Sequence, residues 1–322
     1  MLKITITDIN GKTISKEHFL SLRFSSSADT PCDALDVVFD GALEKCEYKS
    51  IKMFYNDAVM FDGVVDVQTV EYGENGVTSR IQARSNAAFL VDNACIPCTY
   101  NKPSSTDLYE KHVKKYGLAN RLPMLAGEYG LDVSIGDSDW SVINKFIKSV
   151  SSLHLRVNAQ NELTTVESAS GKKICFSNDI QGSVHFSSAK VCIKRAGVVS
   201  KVTYKIDSQN NYIYHCDCKE MKDKGINTVR CVNLAELEDY RRGERVKSII
   251  RNSTKNHFAV TLNLPYVLQA PIGTKADFCD RKIGSYDDMI VYSVDIKADG
   301  TGAKSVIVLK QLNDFTEEIY VD

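Results

Sequence analysis

The chain has 322 residues, of which 43% are hydrophobic and 25% charged, a globular composition that suits about two to four domains. Forty basic and forty-one acidic residues give a net charge of −1, which argues against a protein that holds nucleic acid through its phosphates. No apolar run approaches the roughly 18 residues of a membrane span, and the N-terminal MLKITITDINGK alternates like a strand instead of forming a signal peptide. We therefore expect folding in a cytoplasm, without membrane insertion.

The first hundred residues are predicted to be rich in β-strands. Period-two alternation or short apolar runs occur in KITITDI, HFLSLRFSSS, ALDVVFDG and SIKMFYNDAVMFDGVV. Asn56–Asp57 and Gly73–Gly76 are predicted hairpin turns, because these residue types tolerate positive φ. Several short strands at this spacing are typical of a small barrel or sandwich.

Residues 101–170 show helical patterns followed by a hairpin. Ser104 and Asp107 form a capping-box variant at the start of the first helix, and Gly117 stands where its C′ residue would be. The second helix has Ser138 or Asp137 as its predicted N-cap. Its predicted core face is Trp140, Ile143, Phe146, Ile147 and Val150. The segment LHLRVNAQNELTTVES then predicts two strands, with Asn161 near their turn.

The remainder of the chain returns to strands around a third helix. Strand patterns occur in VCIKRAGVVSKVTYKID and NYIYHCDCKE, and the helix is predicted over about Leu234–Ser253. The segments HFAVTLNLP, GTKADFCD, DMIVYSVDIKADG and AKSVIVLKQL follow as strands, with a turn at Asp299–Gly300.

Two stretches share one plan of strand, glycine turn and strand. They are FDGVVDVQTVEYGENGVTSRIQAR, from Phe61 to Arg84, and IVYSVDIKADGTGAKSVIVLK, from Ile290 to Lys310. Both contain G-x-x-S-x-I, at Gly76–Ile81 and at Gly302–Ile307. Chance agreement between two hairpins is the alternative, but the shared order of elements favours two related β-barrels.

Cysteine and histidine are the residue types in this sequence that could form a zinc site. A zinc site would use Cys95 with Cys98, or the HCDC segment 215–218 with Cys231. In an extended segment, Tyr212, Tyr214, Cys216 and Cys218 share one face, where cysteine acts as a small apolar group, so a core role is favoured.

No sequence pattern indicates an active site. None of the six histidines lies in a metalloprotease pattern, and neither a nucleophile elbow nor a P-loop is present. His112 is predicted to be a packed histidine, and Asp137 and Asp139 favour the helix dipole at a helix start. We therefore predict no catalytic, cofactor-binding or metal-binding residues. The six histidines are His18, His112, His154, His185, His215 and His257.

An ordered series of features resembles a known family. It comprises FDGVVDVQTVEYGENGVTSRIQARSNAAFLVDNACIP, PSSTDLYEKHVKKYGL, DSDWSVINKFIKSV and VVSKVTYKID, within about residues 35–312. In this order the chain resembles the central baseplate hub proteins of contractile tails, the Mu-like and late-control-protein-D-like hubs of phages, phage-tail bacteriocins and related injection machines. The cysteines and the segment KGINTVRCVN depart from the family pattern.

The resemblance implies a β-rich α+β fold in which two small β-barrels and α/β regions assemble as a homotrimer. Three subunits with two barrels each would form a ring of six similar positions. Mapped onto this chain, the regions are 1–100 (first barrel), 101–189 (α/β domain), 190–207 with 257–322 (second barrel) and 208–256 (an inserted strand–helix region).

The implied function is structural, without enzymatic activity or cofactors. The trimeric hub would join a six-fold tail tube or tube initiator to a three-fold central spike, and would contact baseplate wedge proteins. The implied location is the host cytoplasm during assembly and then the baseplate of a virion or tail-like particle. Two alternatives are a tail-associated cell-wall hydrolase and a receptor- or glycan-binding tail protein. Exposed aromatic residues would favour glycan binding, but Trp140 is predicted to be buried on its helix.

Overall fold

The structure, a computed structural model, describes residues 1–74, 76–151, 153–169, 172–207, 211–237, 239–311 and 317–321. The strands are β1 (Leu2–Asp8), β2 (Thr13–Lys16), β3 (Ser21–Ser27), β4 (Ala34–Asp40), β5 (Tyr48–Tyr55), β6 (Ala58–Gly73), β7 (Gly76–Ser85), β8 (Cys98–Tyr100), β9 (Ala119–Asn120), β10 (Leu131–Val133), β11 (Leu155–Val157), β12 (Glu162–Thr165), β13 (Ile174–Ser177), β14 (Ser188–Ile193), β15 (Lys201–Lys205), β16 (Tyr214–Cys218), β17 (Val229–Asn233), β18 (Phe258–Leu264), β19 (Lys275–Asp280), β20 (Gly284–Asp299), β21 (Gly302–Gln311) and β22 (Glu317–Val321). The helices are α1 (Ala88–Asp92), α2 (Ser105–His112), α3 (Asp139–Val150), α4 (Lys219–Asp223) and α5 (Asp239–Thr254), with short 3-10 turns at Lys114–Tyr116 and Val166–Ser168.

The fold is a β-rich α+β architecture, as predicted, and a 13-stranded sheet dominates it. The main path through this sheet is β14-β18-β21-β20-β3-β4-β7-β6-β5-β1-β2, with β19 on β20 and β13 on β19. Its alternating sequences place one side of each strand in the core, as in β1, where Leu2, Ile4 and Ile6 are buried. The turn between β5 and β6 has positive φ at Asn56 and Asp57, which confirms the predicted hairpin.

The large sheet contains one strand order twice. The first unit has the strand order β3-β4-β7-β6-β5-β1, and the second has the order β14-β18-β21-β20-β19-β13. The two units differ at their ends, because β1 is antiparallel to β5 whereas β13 is parallel to β19. The sequence similarity between the two hairpins therefore belongs to a repeated six-strand unit.

The two predicted hairpins have the same dimensions. Strands β6 and β20 each have 16 residues, and strands β7 and β21 each have 10. Ser79 pairs with Val70 in the first hairpin, and Ser305 pairs with Ile296 in the second. Each ladder also shifts register at one matching place, after Val65 and after Val291. Of the predicted turn Gly73–Gly76, residue Asn75 lies outside the described residues.

The strand pairing does not divide the sheet into two closed barrels. Among the described residues, no ladder joins the first and last strands of either six-strand unit. Instead, the C-terminal half of β20 pairs with β3, so that the two units form one continuous sheet. The strand pairing therefore does not show the two separate small β-barrels that the sequence predicted.

The α/β region packs two helices against small sheets, β8 with β10 and β9 with β11 and β12. The capping box of α2 is present: Ser104 Oγ accepts from the Asp107 N–H, and the Ser104 N–H donates to the Asp107 carboxylate. Ser138 caps α3 through the Ser141 N–H. Trp140 packs against the core of this region, as predicted, but it is only half-buried, which corrects its predicted full burial. The buried face of α3 is Val142, Ile143, Phe146 and Ile147.

The third region contains a sheet of β17-β15-β16-β22 with α4 and α5. Strand β15, which was predicted in the second barrel, pairs in this sheet, whereas β13 joins the large one. Helix α5 begins at Asp239 in the described residues, later than predicted, because Leu234–Leu237 forms a turn in which the Leu237 N–H donates to the Leu234 carbonyl. Glu238 lies outside the described residues. The predicted division into four domains stays a prediction.

Candidate assembly surface

Eight strands of the large sheet form a continuous two-sided layer. Their order is β14-β18-β21-β20-β3-β4-β7-β6, so each repeat contributes four strands. One side is buried apolar core, formed by Leu22, Phe24, Leu35, Val37, Phe39, Ile81, Ala83, Val260, Leu262, Leu264, Val294, Ile296, Ala298, Ile307 and Leu309. The opposite side alternates with it and is polar, with Arg23, Asp36, Thr69, Glu71, Arg80, Lys190, Thr261, Asp295, Lys297 and Lys304.

Two of the basic residues on the polar side are paired with acids of the same sheet. The Arg80 guanidinium makes two hydrogen bonds to Asp36, of 2.8 and 2.5 Å. Arg23 lies 3.9 Å from Asp295, across the junction between the two repeats. Because these partners have opposite charge, this surface carries no uniform basic stripe that would hold phosphates.

The G-x-x-S-x-I spacing that the two hairpins share places one buried serine in each repeat. Ser79 Oγ donates to the Gly41 carbonyl and accepts from the Leu43 N–H, at 2.8 and 2.9 Å. Ser305 Oγ donates to the Tyr266 carbonyl and accepts from the Leu268 N–H, at 2.9 and 3.2 Å. In both repeats the serine therefore holds the segment that leaves the neighbouring strand, β4 or β18. This role explains why the G-x-x-S-x-I spacing occurs twice.

The α/β region contains a buried polar cluster around Asp139. The carboxylate is fully buried and lies 2.6 Å from both His112 Nδ1 and the Tyr116 hydroxyl. Lys115 Nζ lies 2.8 Å from it, and the Cys95 thiol donates to it at 3.1 Å. Sequence reasoning placed Asp139 at a helix start but did not find this cluster, because its partners come from separate segments of the chain.

The pKa values in this cluster follow from burial and hydrogen bonding. Burial by itself raises the pKa of Asp139, but hydrogen bonds from His112, Lys115 and their neighbours outweigh it and hold that pKa well below its usual range. Burial, together with the hydrogen bond to Asp139, raises the pKa of Cys95 to about 12. The thiol is therefore protonated at neutral pH and is not an activated nucleophile. In contrast, Asp137 is partly buried outside this cluster and binds Lys145, at 2.6 Å.

Three side chains of this cluster have the spacing of a metal site. The ligand atoms of Cys95, His112 and Asp139 lie within 4.8 Å of one another. They are already joined by hydrogen bonds, and the other ring nitrogen of His112 lies 2.9 Å from the Tyr100 hydroxyl. A metal ion would have to displace these bonds and ionise a thiol of raised pKa. Their arrangement fits a structural hydrogen-bonded network better than a metal centre.

The cysteines that suggested zinc lie in different environments. Cys95 is in the Asp139 cluster, whereas Cys98 is exposed on β8. Cys216 and Cys218 are fully buried on one face of β16, in agreement with the predicted core role, and Cys231 is exposed on β17. The predicted absence of metal, cofactor and catalytic residues stays a prediction.

A buried ion pair joins the α/β region to the large sheet. Arg156 on β11 binds Asp33, in the loop between β3 and β4, with nitrogen–oxygen distances of 2.9 and 3.0 Å. The same guanidinium group donates to Ser26 Oγ at 2.8 Å and to the Ser27 carbonyl at 3.2 Å. Because the donors and acceptors satisfy one another, the small sheet is fixed against the junction of the repeats.

No helix in the described part of the chain is long and apolar enough to cross a membrane. No protein-family model and no curated protein matches the sequence.

The fold is shared by solved tail proteins, one of them from a prophage, and by a secretion-system component. The 43 kDa tail protein of prophage MuSo2 from Shewanella oneidensis superposes with a TM-score of 0.77 at 14% identity, covering 96% of this chain and 98% of that chain. The tail protein from Neisseria meningitidis MC58 has a TM-score of 0.72 at 15% identity, covering 98% of both chains. The E. coli c3393 protein, described as a type VI secretion component with structural similarity to the T4 tail proteins gp27 and gp5, has a TM-score of 0.57 at 8% identity, covering 98% of this chain and 77% of that chain. These likenesses of fold agree with the resemblance found in the sequence.

Proposed function

We propose that this chain is a structural hub protein of a contractile tail baseplate. The observation that carries the proposal is the repeated six-strand unit in one sheet. Likeness of fold over nearly the full chain to two tail proteins supports the same conclusion. A chain with two similar units offers two similar surfaces, so three copies offer six.

In this proposal a homotrimer adapts one symmetry to another. Six similar sheet surfaces would contact a six-fold tail tube or tube initiator, while the remaining regions, present three times, would contact a three-fold central spike. The two repeats would act as the two barrel-like domains of each subunit. Baseplate wedge proteins are further partners, and the complex would assemble in the host cytoplasm before its incorporation into a virion or tail-like particle.

The polar side of the eight-strand layer is assigned to the central channel. Its ion pairs, Arg80 with Asp36 and Arg23 with Asp295, place acids beside two of its basic residues. A channel wall of this kind would be hydrated but would not retain a polyanion. The work of the protein would then be mechanical, because subunit interfaces keep the hub closed while tube and spike move together.

The copy number of the chain in purified tail particles tests this function. Particles from producing cells would be digested and quantified by mass spectrometry against isotope-labelled peptides of this chain and of the tube protein. The proposal predicts three copies of this chain per particle and loss of assembled tails when its gene is deleted. Six or more copies, or intact tails without this chain, would contradict it.

A further inference from the structure

The two repeats carry different chemistry at one matching position of their long hairpins. The register shift in each hairpin leaves one extra residue, which is Asp66 in β6 and Tyr292 in β20. On the neighbouring strand, the matching positions hold Arg84 and Lys310. In the first repeat these residues form an ion pair, because Arg84 donates to Asp66 at 2.7 and 2.9 Å. In the second repeat a lysine lies beside a tyrosine, so the same ion pair cannot form.

The amine of Lys310 is buried against an aromatic ring and faces an amide. The residue is 8% exposed, and its Nζ lies 3.7 Å from the centre of the Tyr292 ring. The same nitrogen donates to Oδ1 of Asn256, at 2.7 Å, in the loop between α5 and β18. Burial lowers the pKa of Lys310, so its neutral and nucleophilic form is reached at a lower pH than in an exposed lysine.

A carboxylate from the first repeat completes this cluster. Asp29, in the loop between β3 and β4, accepts a hydrogen bond from the Tyr292 hydroxyl and lies 3.1 Å from Nζ of Lys255. Its negative charge also acts on Lys310, although burial has the larger effect on the pKa of that amine. An amine, an amide and a carboxylate therefore meet where both repeats contact the end of α5.

We propose that Lys310 and Asn256 react with each other to form an isopeptide bond within the chain. The neutral amine adds to Cγ of Asn256, so that a bond from Nζ to Cγ forms and the bond from Cγ to Nδ2 breaks. The proton that the amine loses goes to Nδ2, which leaves as ammonia, and no oxidant or further reactant is consumed. Asp29 accepts this proton from the amine and returns it to the leaving nitrogen. Asn256 is exposed, so the ammonia leaves directly into solvent.

The cluster removes two obstacles that make this reaction slow between free side chains in water. There the amine is protonated, and the two groups seldom meet. Here burial favours the neutral amine of Lys310, and the 2.7 Å contact holds it against the amide of Asn256. Burial by itself raises the pKa of Asp29, but hydrogen bonds from Tyr292 and Lys255 outweigh it and lower that pKa. The carboxylate is therefore ionised at neutral pH and able to accept a proton.

The bond would fasten the end of α5 to the large sheet. Lys310 belongs to β21, and Asn256 lies 54 positions earlier in the chain, directly after α5. A covalent link at this place would resist forces that pull the third region away from the sheet. This property would suit a protein that transmits force, but the bond does not depend on the proposed hub function.

Mass spectrometry of the purified full chain tests the bond. The wild-type chain should be lighter than its sequence requires by the mass of one ammonia molecule, and its digest should contain a branched peptide that joins Asn256 to Lys310. Ammonia lost by cyclisation of another asparagine gives no branched peptide. A folded wild-type chain with its full sequence mass and no branched peptide would overturn the proposal, and the contact would then be an ordinary hydrogen bond.

Three variants identify the reacting groups. Lys310→Arg keeps the positive charge but has no neutral amine, and Asn256→Ala removes the amide, so both should have their full sequence mass. Lys255→Arg is the matched control, because it changes the lysine next to Asn256 and keeps a cation beside Asp29. It should still form the branched peptide. Loss of the bond in Lys255→Arg, or its presence in Lys310→Arg, would contradict the assignment.

The role of Asp29 is tested by the rate at which the bond forms. Asp29→Asn keeps the size of the side chain but cannot accept the proton, so bond formation should slow by about a hundredfold or more. The cross-linked fraction is followed by intact mass at successive times after synthesis of the chain, with circular dichroism as the check on folding. A purely structural role of Asp29 would leave this rate unchanged in a folded variant, and that result would contradict proton transfer through Asp29.

Electrophoresis under denaturing and reducing conditions gives an independent readout. An isopeptide bond survives both conditions and closes a loop in the unfolded chain, so the wild-type chain should migrate faster than Lys310→Arg. Equal mobility of the two chains would contradict the bond. The copy number in tail particles tests the hub proposal separately, because a hub without this bond and a bonded chain that is not a hub give different pairs of results.

Discussion

At the scale of single residues, the most demanding environment is that of Asp139. Its carboxylate is fully buried, yet it keeps its charge because His112, Lys115 and Tyr116 all contact it. A buried charge is tolerated only with such partners, and removal of one member leaves the others unsatisfied. The cluster therefore fixes the start of α3 against α2 and the 3-10 turn that follows it.

The substitution Asp139→Asn should lower the free energy of unfolding by about 3–5 kcal/mol, because it breaks a buried, charged network. Urea denaturation monitored by circular dichroism would measure the change. Glu110→Gln is the matched control, since it removes a carboxylate from an exposed ion pair with Lys114 and should cost less than about 0.5 kcal/mol. Equal effects of the two substitutions would contradict the structural role of Asp139.

The lowered pKa of Asp139 gives this contribution a pH dependence. The unfolded carboxyl titrates near its ordinary pKa of about 3.9, and the folded one titrates lower. Its stabilising effect is therefore complete above the unfolded pKa and decreases as the pH falls below it. The difference in stability between the wild-type chain and Asp139→Asn should shrink below about pH 4. A difference that grows on acidification would reverse the assigned direction of the shift.

Ser79 and Ser305 provide a paired test of the repeat. Each hydroxyl satisfies one carbonyl and one N–H in the segment leaving the neighbouring strand. Ser79→Ala and Ser305→Ala should each destabilise the chain by about 1–3 kcal/mol, while the exposed Ser21→Ala should change stability by less than about 0.5 kcal/mol. Thermal unfolding would compare the three variants. A loss at only one of the two serines would show that the repeated motif is not used in the same way in both units.

At the scale of elements, local patterns predicted what local physics determines. The capping box at Ser104, the N-cap at Ser138 and the hairpin turn at Asn56–Asp57 all have short-range causes, and the structure confirms them. The start of α5 was predicted too early because hydrogen bonds form a turn over Leu234–Leu237. The Asp139 cluster and the pairing of β20 with β3 could not be predicted from patterns, because their partners are distant in sequence and are joined only by the tertiary fold.

Gly63 shows how closely β6 approaches its neighbours. A Cβ at this position would lie 2.2 Å from the Arg84 carbonyl oxygen and 2.6 Å from Phe61 Cζ. Gly63→Ala should therefore destabilise the chain by about 1–3 kcal/mol through overpacking. Gly73→Ala on the same strand is the control, because nothing lies within 4 Å of the added carbon, and we expect a change below about 0.5 kcal/mol. Chemical denaturation measures both, and a larger loss at Gly73 would contradict the packing at Gly63.

At the scale of the whole molecule, the structure explains how one chain can present two similar surfaces. The repeat continues through a single sheet, and Arg156 ties the α/β region to the junction between the units. The sequence predicted the duplication from the G-x-x-S-x-I motif. It did not predict that the two units join in one sheet, because pairing between β20 and β3 depends on edges that no local pattern specifies.

The central claim is that three copies of this doubled sheet form a closed ring on the axis of a tail. Electron cryomicroscopy of tail particles that contain the chain tests it most directly. The account predicts three copies around the axis at the end of the tube, with six similar sheet units facing the tube. A position of the chain away from the tail axis, or sheet units that do not form one ring around that axis, would contradict the central claim.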